Sequence, residues 1–233
     1  MKISVALAAY NGEKYIGEQI ESILPQLGED GEIVVSDDNP AGRTRGTVEF
    51  YSAYDARVRY VEGTGEGVCR NFENAILNCS GDIIFLCDQD DVWLPNKVER
   101  VMKAFENGAD VILHDAVMTD GELNVTDESF FSLNGSKRGF VKNFVKNSYM
   151  GCCMAFRRDF EPKFMPFPKD LAMHDWWIGL NAELKGKVEF IYEPLIKHRC
   201  HGGNVTGGKT TAAQKLSWRI HMVGDILRFK NAD

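Results

Sequence analysis

Apolar runs alternate with helically spaced segments through the first half of the chain, and this alternation restricts the fold more than any other feature. Ile3-Ser4-Val5-Ala6-Leu7 is strand-length and contains β-branched residues, and Asn11-Gly12 turns the chain behind it. From Glu13 to Leu24, Tyr15, Ile16, Ile20, Ile23 and Leu24 recur at helical spacing. Gly31 breaks the chain before a second strand, Glu32 to Ser36; Thr44 to Tyr54 is helix-like, and Val58 to Val61 is a third strand. Gly63, Gly65 and Gly67 precede a helix from Val68 to Asn78. Asp82 to Cys87 is the most strand-like run and is apolar on both faces, as a central parallel strand covered by helices must be. Pro95 opens a helix reaching about Asn107, with proline in the first turn where its missing N–H costs nothing. The pattern predicts the α/β class, a mainly parallel sheet with right-handed crossovers.

Size and charge narrow the function. The chain has 233 residues, 27 Lys and Arg against 34 Asp and Glu, and a net charge of −7. A chain of this length fits one large domain, or one domain with a small appendage, and is expected to bury roughly 70% of the surface its unfolded form exposes. The acidic balance excludes a general nucleic-acid binder, whose phosphate contacts need a basic face. The first apolar run is too short for a membrane span and lacks the shape of a secretion signal, so a cytoplasmic protein is expected. Cys69, Cys79, Cys87, Cys152, Cys153 and Cys200 contain no C-x-x-C pair and form no disulfide framework, so free thiols are expected.

In parallel sheets, ligands sit beyond the carboxyl ends of the strands. The residues at those ends are Ala8-Ala9-Tyr10-Asn11, Asp37-Asp38-Asn39 and Asp88-Gln89-Asp90-Asp91. Three aspartates packed at one half-buried strand end repel one another unless a cation or a set of N–H donors compensates. Mg²⁺ or Mn²⁺ takes oxygen ligands and is commonly shared between carboxylates and substrate phosphates. Capping of the following helix is the bland alternative; it needs one acid and leaves the others unexplained.

The pieces VALAAYNGEKYIGEQIESIL, VVSDD, GVCRNFENAI and FLCDQDDVWLPNKVE, in this order, resemble family 2 glycosyltransferases of the GT-A fold. MGCCMAFRRD, MHDWWIGL and KHRCHGGNVTG resemble the acceptor half of the same family, most closely its bacterial rhamnosyltransferase-type branch. The resemblance spans about residues 2–207 and implies a domain over 1–208 with a nucleotide-sugar half (1–115), an acceptor half (116–208) and a C-terminal helix (209–233). It implies that Ala8 meets the nucleotide through its backbone, that Tyr10 packs on the base, and that Asp37 accepts a pyrimidine imide N–H. It places Arg70 against the nucleotide or its phosphates, Asp88 toward ribose or metal, and Asp90 and His201 on a divalent metal, Mn²⁺ or Mg²⁺. Asp91 is expected to support or cap the next helix. The family has Gly-Ser after the second-strand acids, where this chain has Asn39-Pro40, so the base-side loop must bend differently.

The second half changes character. Residues 120–147 are polar with interspersed phenylalanines and read as irregular, with one short helix near Gly139 to Lys146; Tyr149 to Phe156 is strand-like. His174-Asp175-Trp176-Trp177 opens a helix, and a carboxylate at a helix start beside aromatic walls suits a general base. The resemblance makes Asp175 that base, His174 an orienting or acceptor-contacting group, and Trp176 and Trp177 faces for sugar rings. Lys197-His198-Arg199 is a local basic segment facing a diphosphate. Residues 209–228 read as a helix packing on the core, with a basic, apolar membrane-surface helix as the sharper alternative.

The expected function is inverting sugar transfer from a UDP- or dTDP-sugar to a saccharide or lipid-linked acceptor, in bacterial surface polysaccharide synthesis. A non-catalytic nucleotide-sugar-binding protein is the first rival. A nucleotidyltransferase ranks third, because the first-strand loop has no basic residue before Lys14.

Overall fold

The computed structural model describes residues 1–202 and 211–230. Four strands and their crossover helices build the N-terminal half: β1 (Ile3–Ala9), α1 (Ile16–Ile23), β2 (Glu32–Asp37), α2 (Thr44–Tyr54), β3 (Val58–Glu62), α3 (Val68–Asn78) and β4 (Ile83–Asp88). Next come β5 (Val92–Trp93), α4 (Lys97–Glu106), β6 (Val111–Thr119), β7 (Val125–Asp127), α5 (Phe130–Asn134) and α6 (Phe140–Val145). The chain continues through β8 (Met154–Arg157), α7 (His174–Lys185), β9 (Val188–Arg199) and α8 (Ala212–Lys230).

Among the described residues these strands form one sheet in the order β3-β2-β1-β4-β8-β6-β9-β5, with β7 beside β6. β1 to β4 run parallel, as do β6 and β9, and β8 lies antiparallel between β4 and β6. The sheet therefore crosses the boundary expected at residue 115 without a break. The register pairs Ala8 with both Ser36 and Asp88, which sets the strand ends of the N-terminal half level. In the other half, Val92 pairs with Lys197 and Met118 with His198, so the end of β9 lies beside the acidic turn after β4.

Both faces of the sheet are covered, so β2 is buried throughout and β4 is buried along its apolar length. Phe72, Phe85, Phe105, Phe156, Phe164 and Trp177 are fully buried. Each such side chain contributes roughly 1.5–3 kcal/mol by leaving water. The six cysteines are free, in line with expectation.

The expected α2 and α3 match residue for residue, whereas other limits shift for local reasons. The N–H groups of Tyr15 and Ile16 both bond the carbonyl of Gly12, so a turn occupies Glu13–Tyr15 and α1 starts late. Asn96 adopts a left-handed φ of 68°, so α4 begins after Pro95 and not at it. Tyr149 to Phe156 splits into a 3₁₀ turn at Gly151–Cys153 and the short β8. β6 and the 12-residue β9 were not expected as strands, apart from the basic end of β9. Lys209, the expected start of α8, and Asn204-Val205-Thr206 lie outside the described residues.

Candidate active site

A cavity of about 710 Å³ opens at the carboxyl ends of the parallel strands. Ala8, Tyr10, Asp38, Asp88 and Asp90 line one side, and Gly151, His174 and Asp175 the other. Strand ends from the N-terminal half and the start of α7 thus share one space.

The acidic turn is held from several directions. Gln89 clamps the loop after β1: its side-chain oxygen accepts the Tyr10 N–H at 2.8 Å, and its amide donates to the Tyr10 carbonyl at 3.0 Å. A Cβ on Gly12 would come within 2.1 Å of that amide oxygen, so a larger residue there would displace the Gln89 side chain. Asp91 accepts from His198 Nδ1 at 2.8 Å and from the Arg199 N–H at 3.1 Å, which locks the turn to β9. It does not cap α4. Arg199 reaches the carbonyls of Asp90 and Gly121, pairs with Glu18, and lies over the ring of Tyr15. His201 stacks on Tyr15, and its Nε2 lies 2.8 Å from Asp90 Oδ2.

The electrostatics separate the acids. Burial, followed by the charges of Asp91 and Asp90, pushes Asp88 well above the ordinary carboxylate range. Burial and the Asp91 charge raise Asp90 too, against the pull of His201. Burial works against ionisation of Asp91 as well, but the His198 imidazolium and its hydrogen bond outweigh it and hold Asp91 low. In spite of its burial, His198 is raised by Asp91 and Asp88, so it is cationic at neutral pH.

The donor set of this cluster suits a hard divalent cation. One ligand atom from each of Asp88, Asp91, Cys152 and His198 lies within 4.8 Å of the others, and Asp91 Oδ2 is buried with no hydrogen-bond partner. A hydrogen bond with Cys153, then burial and neighbouring charges, raise the buried Cys152 thiol, and His198 is taken by Asp91, which leaves oxygen as the available donor type. Of the carboxylates, Asp88 and Asp90 face the cavity.

On the opposite wall, Asp175 is buried in the first turn of α7 and accepts the Trp176 N–H at 2.6 Å. Burial pushes its carboxyl up to about 7, against hydrogen bonds from Trp176, the Asn147 side chain and the Gly151 backbone. His174 lies flat on Phe72, with ring centroids 4.0 Å apart, and neither ring nitrogen has a partner. Burial lowers it to about 3, so it is a neutral imidazole at the cavity wall. Gly151 makes room for it: a Cβ there would stand 2.5 Å from His174 Nε2.

Five expected site residues, Asp37, Arg70, Trp176, Trp177 and His201, do not line the cavity. Asp37 is fully buried, and its carboxylate accepts the Asn39 N–H and the Tyr60 hydroxyl. Asp38 stands at the wall in its place and accepts the N–H groups of Gly65 and Gly67. Arg70 turns outward to Glu73 and to the carbonyls of Phe167 and Pro168, while its neighbour Asn71 lines the cavity. Trp177 is core, donating to the Phe164 carbonyl. Trp176 is also buried, but it lines a separate hollow of about 230 Å³ beside α8. Asp38, Asn71 and Gln89 were not expected; each is one residue from an expected one.

Comparison with known proteins gives a consistent picture. Residues 4–163 match the family model described as glycosyl transferase family 2. The putative teichuronic acid biosynthesis glycosyltransferase TuaG of Bacillus subtilis is 23% identical over 99% of this chain and 91% of its own length. The dTDP-rhamnosyl transferase RfbG of Shigella flexneri is 25% identical, covering 90% of this chain and 76% of itself. An uncharacterized glycosyltransferase of Nostoc, alr2836, is 26% identical over 88% of this chain. The structure of S. aureus TarS 1-349 in complex with UDP-GlcNAc superposes with a TM-score of 0.76 at 16% identity, over 97% of this chain. The chain spans 66% of the length of both the Nostoc relative and that TarS chain. A family model matched over more than half the sequence, on a sheet shared with TarS, means that the chain belongs to glycosyl transferase family 2 and has the GT-A fold.

Proposed function

We propose that the chain transfers a sugar, with inversion, from a UDP- or dTDP-sugar to a saccharide or lipid-linked acceptor in the synthesis of a bacterial surface polysaccharide. The observation that carries this reading is the shared cavity, with the strand-end carboxylates on one wall and the buried Asp175 facing it from the start of α7. RfbG is named as a dTDP-rhamnosyl transferase, TuaG as a teichuronic acid enzyme, and TarS was crystallised with UDP-GlcNAc. These names support the proposed donor and pathway classes.

The N-terminal half holds the nucleotide. Ala8 and Tyr10 present backbone and ring at the end of β1, with Gln89 fixing the loop and Asp38 the glycine turn opposite. Asp88 and Asp90, which line the cavity, with His201 on Asp90, would hold Mn²⁺ or Mg²⁺. Such a cation offsets charge developing on a leaving diphosphate.

Asp175 is the base. At pH 7 a carboxyl whose pKa is near 7 is about half ionised and is a stronger proton acceptor than an ordinary aspartate. Its place in the first turn of α7 favours the anion through the helix dipole. An oxygen of Asp175 takes the proton of the acceptor hydroxyl as that oxygen bonds to the anomeric carbon. The bond from that carbon to the diphosphate oxygen breaks on the opposite face, and the diphosphate leaves with the electron pair. His174, neutral and unpaired, can offer or accept a hydrogen bond to the acceptor without competing for the proton.

The test is incubation with UDP- and dTDP-sugars, Mn²⁺ and short saccharide acceptors, followed by NMR of the product. Nucleoside diphosphate release with inverted anomeric configuration is expected. Tight donor binding with neither release nor product would mark a nucleotide-sugar-binding protein instead.

A further inference from the structure

Helix α8 packs by one narrow edge. Met222 and Ile226 are buried and Trp218 is half-buried, and Arg219 anchors the helix to the carbonyls of Phe144 and Val145 at the end of α6. A second apolar stripe faces solvent: Leu216, Ile220, Val223 and Leu227 are 59, 63, 44 and 57% exposed. Their spacing places them within an arc of roughly 60° on the helix surface. Val141 and Val145 of α6, 75 and 61% exposed, add to the apolar surface of the two helices. Single exposed apolar residues are ordinary, but an ordered stripe on a helix is a binding feature.

Charge identifies the occupant. Residues 137–146 and 211–230 hold eight Lys and Arg against one acid, Asp225, in a chain whose net charge is −7. Asp225 is already paired with Arg228. Burial, then the ammonium groups of Lys137 and Lys146, lower Lys142, a sign of crowded positive charge. Lys146, Lys215 and Arg219 line the hollow between α6, α7 and α8 with Trp176 and Trp218, and among the described residues no carboxylate joins them. Two copies of so basic a face repel each other, which disfavours a dimer through it. An interfacial helix with an apolar stripe and flanking cations matches an anionic bilayer, where the stripe enters the headgroup layer and the cations meet lipid phosphates.

We propose that the face formed by α6 and α8 docks on an anionic lipid membrane, with the Trp176–Trp218 hollow seating a lipid phosphate. The hollow and the main cavity share Asn147 and Met173, so docking holds the acceptor side of the cavity against the bilayer. This surface is separate from the strand-end carboxylates, and its test does not depend on sugar transfer.

The experiment is co-sedimentation of the full chain with vesicles of phosphatidylcholine alone and with about 30% phosphatidylglycerol, near the anionic content of cytoplasmic leaflets. Partitioning at least about tenfold stronger onto the anionic vesicles is expected, lost in about 0.5 M salt, where the screening length is only a few ångströms. Ile220→Asp with Leu227→Asp should reduce it at least about tenfold, since each removes an apolar side chain from the interface. Lys142→Gln and Lys146→Gln should each reduce it roughly fivefold. Circular dichroism and an unchanged melting temperature verify that each variant is folded; the lysine variants carry the test if the aspartates disturb α8. Equal partitioning onto both vesicles, no partitioning, or folded variants that bind like the wild type would overturn the proposal. So would a concentration-dependent dimer that Ile220→Asp abolishes while vesicles are ignored.

Discussion

The two walls of the cavity are built on different principles. The nucleotide wall is a row of strand ends set level by parallel pairing, with Ala8 beside Asp88 on neighbouring strands. The acceptor wall hangs on one helix start, with Asp175 and His174 held among residues from a 3₁₀ turn and from the loop after α6. The first wall crowds carboxyls together, so burial and mutual repulsion raise Asp88 and Asp90; the second buries a single carboxyl away from other acids. Charge crowding suits a wall that shares a cation with a diphosphate, and isolation suits a wall that must take up a proton.

That contrast predicts separable defects. The largest effect is expected from Asp175→Asn: sugar transfer falls about 10³-fold, the scale of a lost general base, while donor affinity measured by calorimetry changes less than about twofold. A variant that turns over normally would remove Asp175 from the chemistry. Next is Asp90→Asn, which should weaken Mn²⁺-dependent nucleoside diphosphate binding by at least roughly 100-fold, more than a change behind a metal ligand costs. Binding that ignores both the metal and the substitution would reject the cation site.

A third prediction concerns pH. In the proposed role as base Asp175 must be ionised, and its pKa is raised to about 7. Single-turnover transfer should therefore rise with pH below 7 and level off above it, and the rising limb should be absent from the residual rate of Asp175→Asn. The linked effect on stability has the opposite sign: a carboxyl raised in the folded state stabilises at low pH, and that contribution falls away between the unfolded value and 7. The smallest effect is expected from Gln89→Ala. Losing its two hydrogen bonds to Tyr10 costs about 1 kcal/mol of stability, and donor KM should rise with kcat unchanged. An equal fall in kcat would mean that the loop also positions the reacting sugar.

The same contrast governs what could be read from the sequence. Strand ends of a parallel sheet are local features; that rule pointed to the segments that hold Ala8, Tyr10, Asp88 and Asp90, and the family resemblance singled these residues out. Errors there are single-residue ones of facing. Successive strand residues point to opposite sides, so the cavity receives Asp38 while Asp37 turns to Tyr60. On a helix, one residue is a turn of about 100°, enough to exchange Asn71 for Arg70. In the second half, β6 and β9 owe their place to a pairing between residues about 80 apart, and their runs carry no alternation of their own. The Asp91–His198 ion pair, 2.8 Å long, joins segments more than 100 residues apart, and nothing near either residue announces it.

The position of β8 has a consequence for the growing chain. β4 is finished at Asp88, yet the strand that covers its free edge begins only at Met154. At synthesis rates of roughly 5–20 residues per second, that edge stays open for about 3–13 seconds on the ribosome. Ile83, Ile84 and Phe85 make it an apolar template during this interval, the kind of edge to which stray strands add. The nascent protein is thus most vulnerable after its N-terminal half has been made and before the second half closes the sheet, and there a chaperone would matter most.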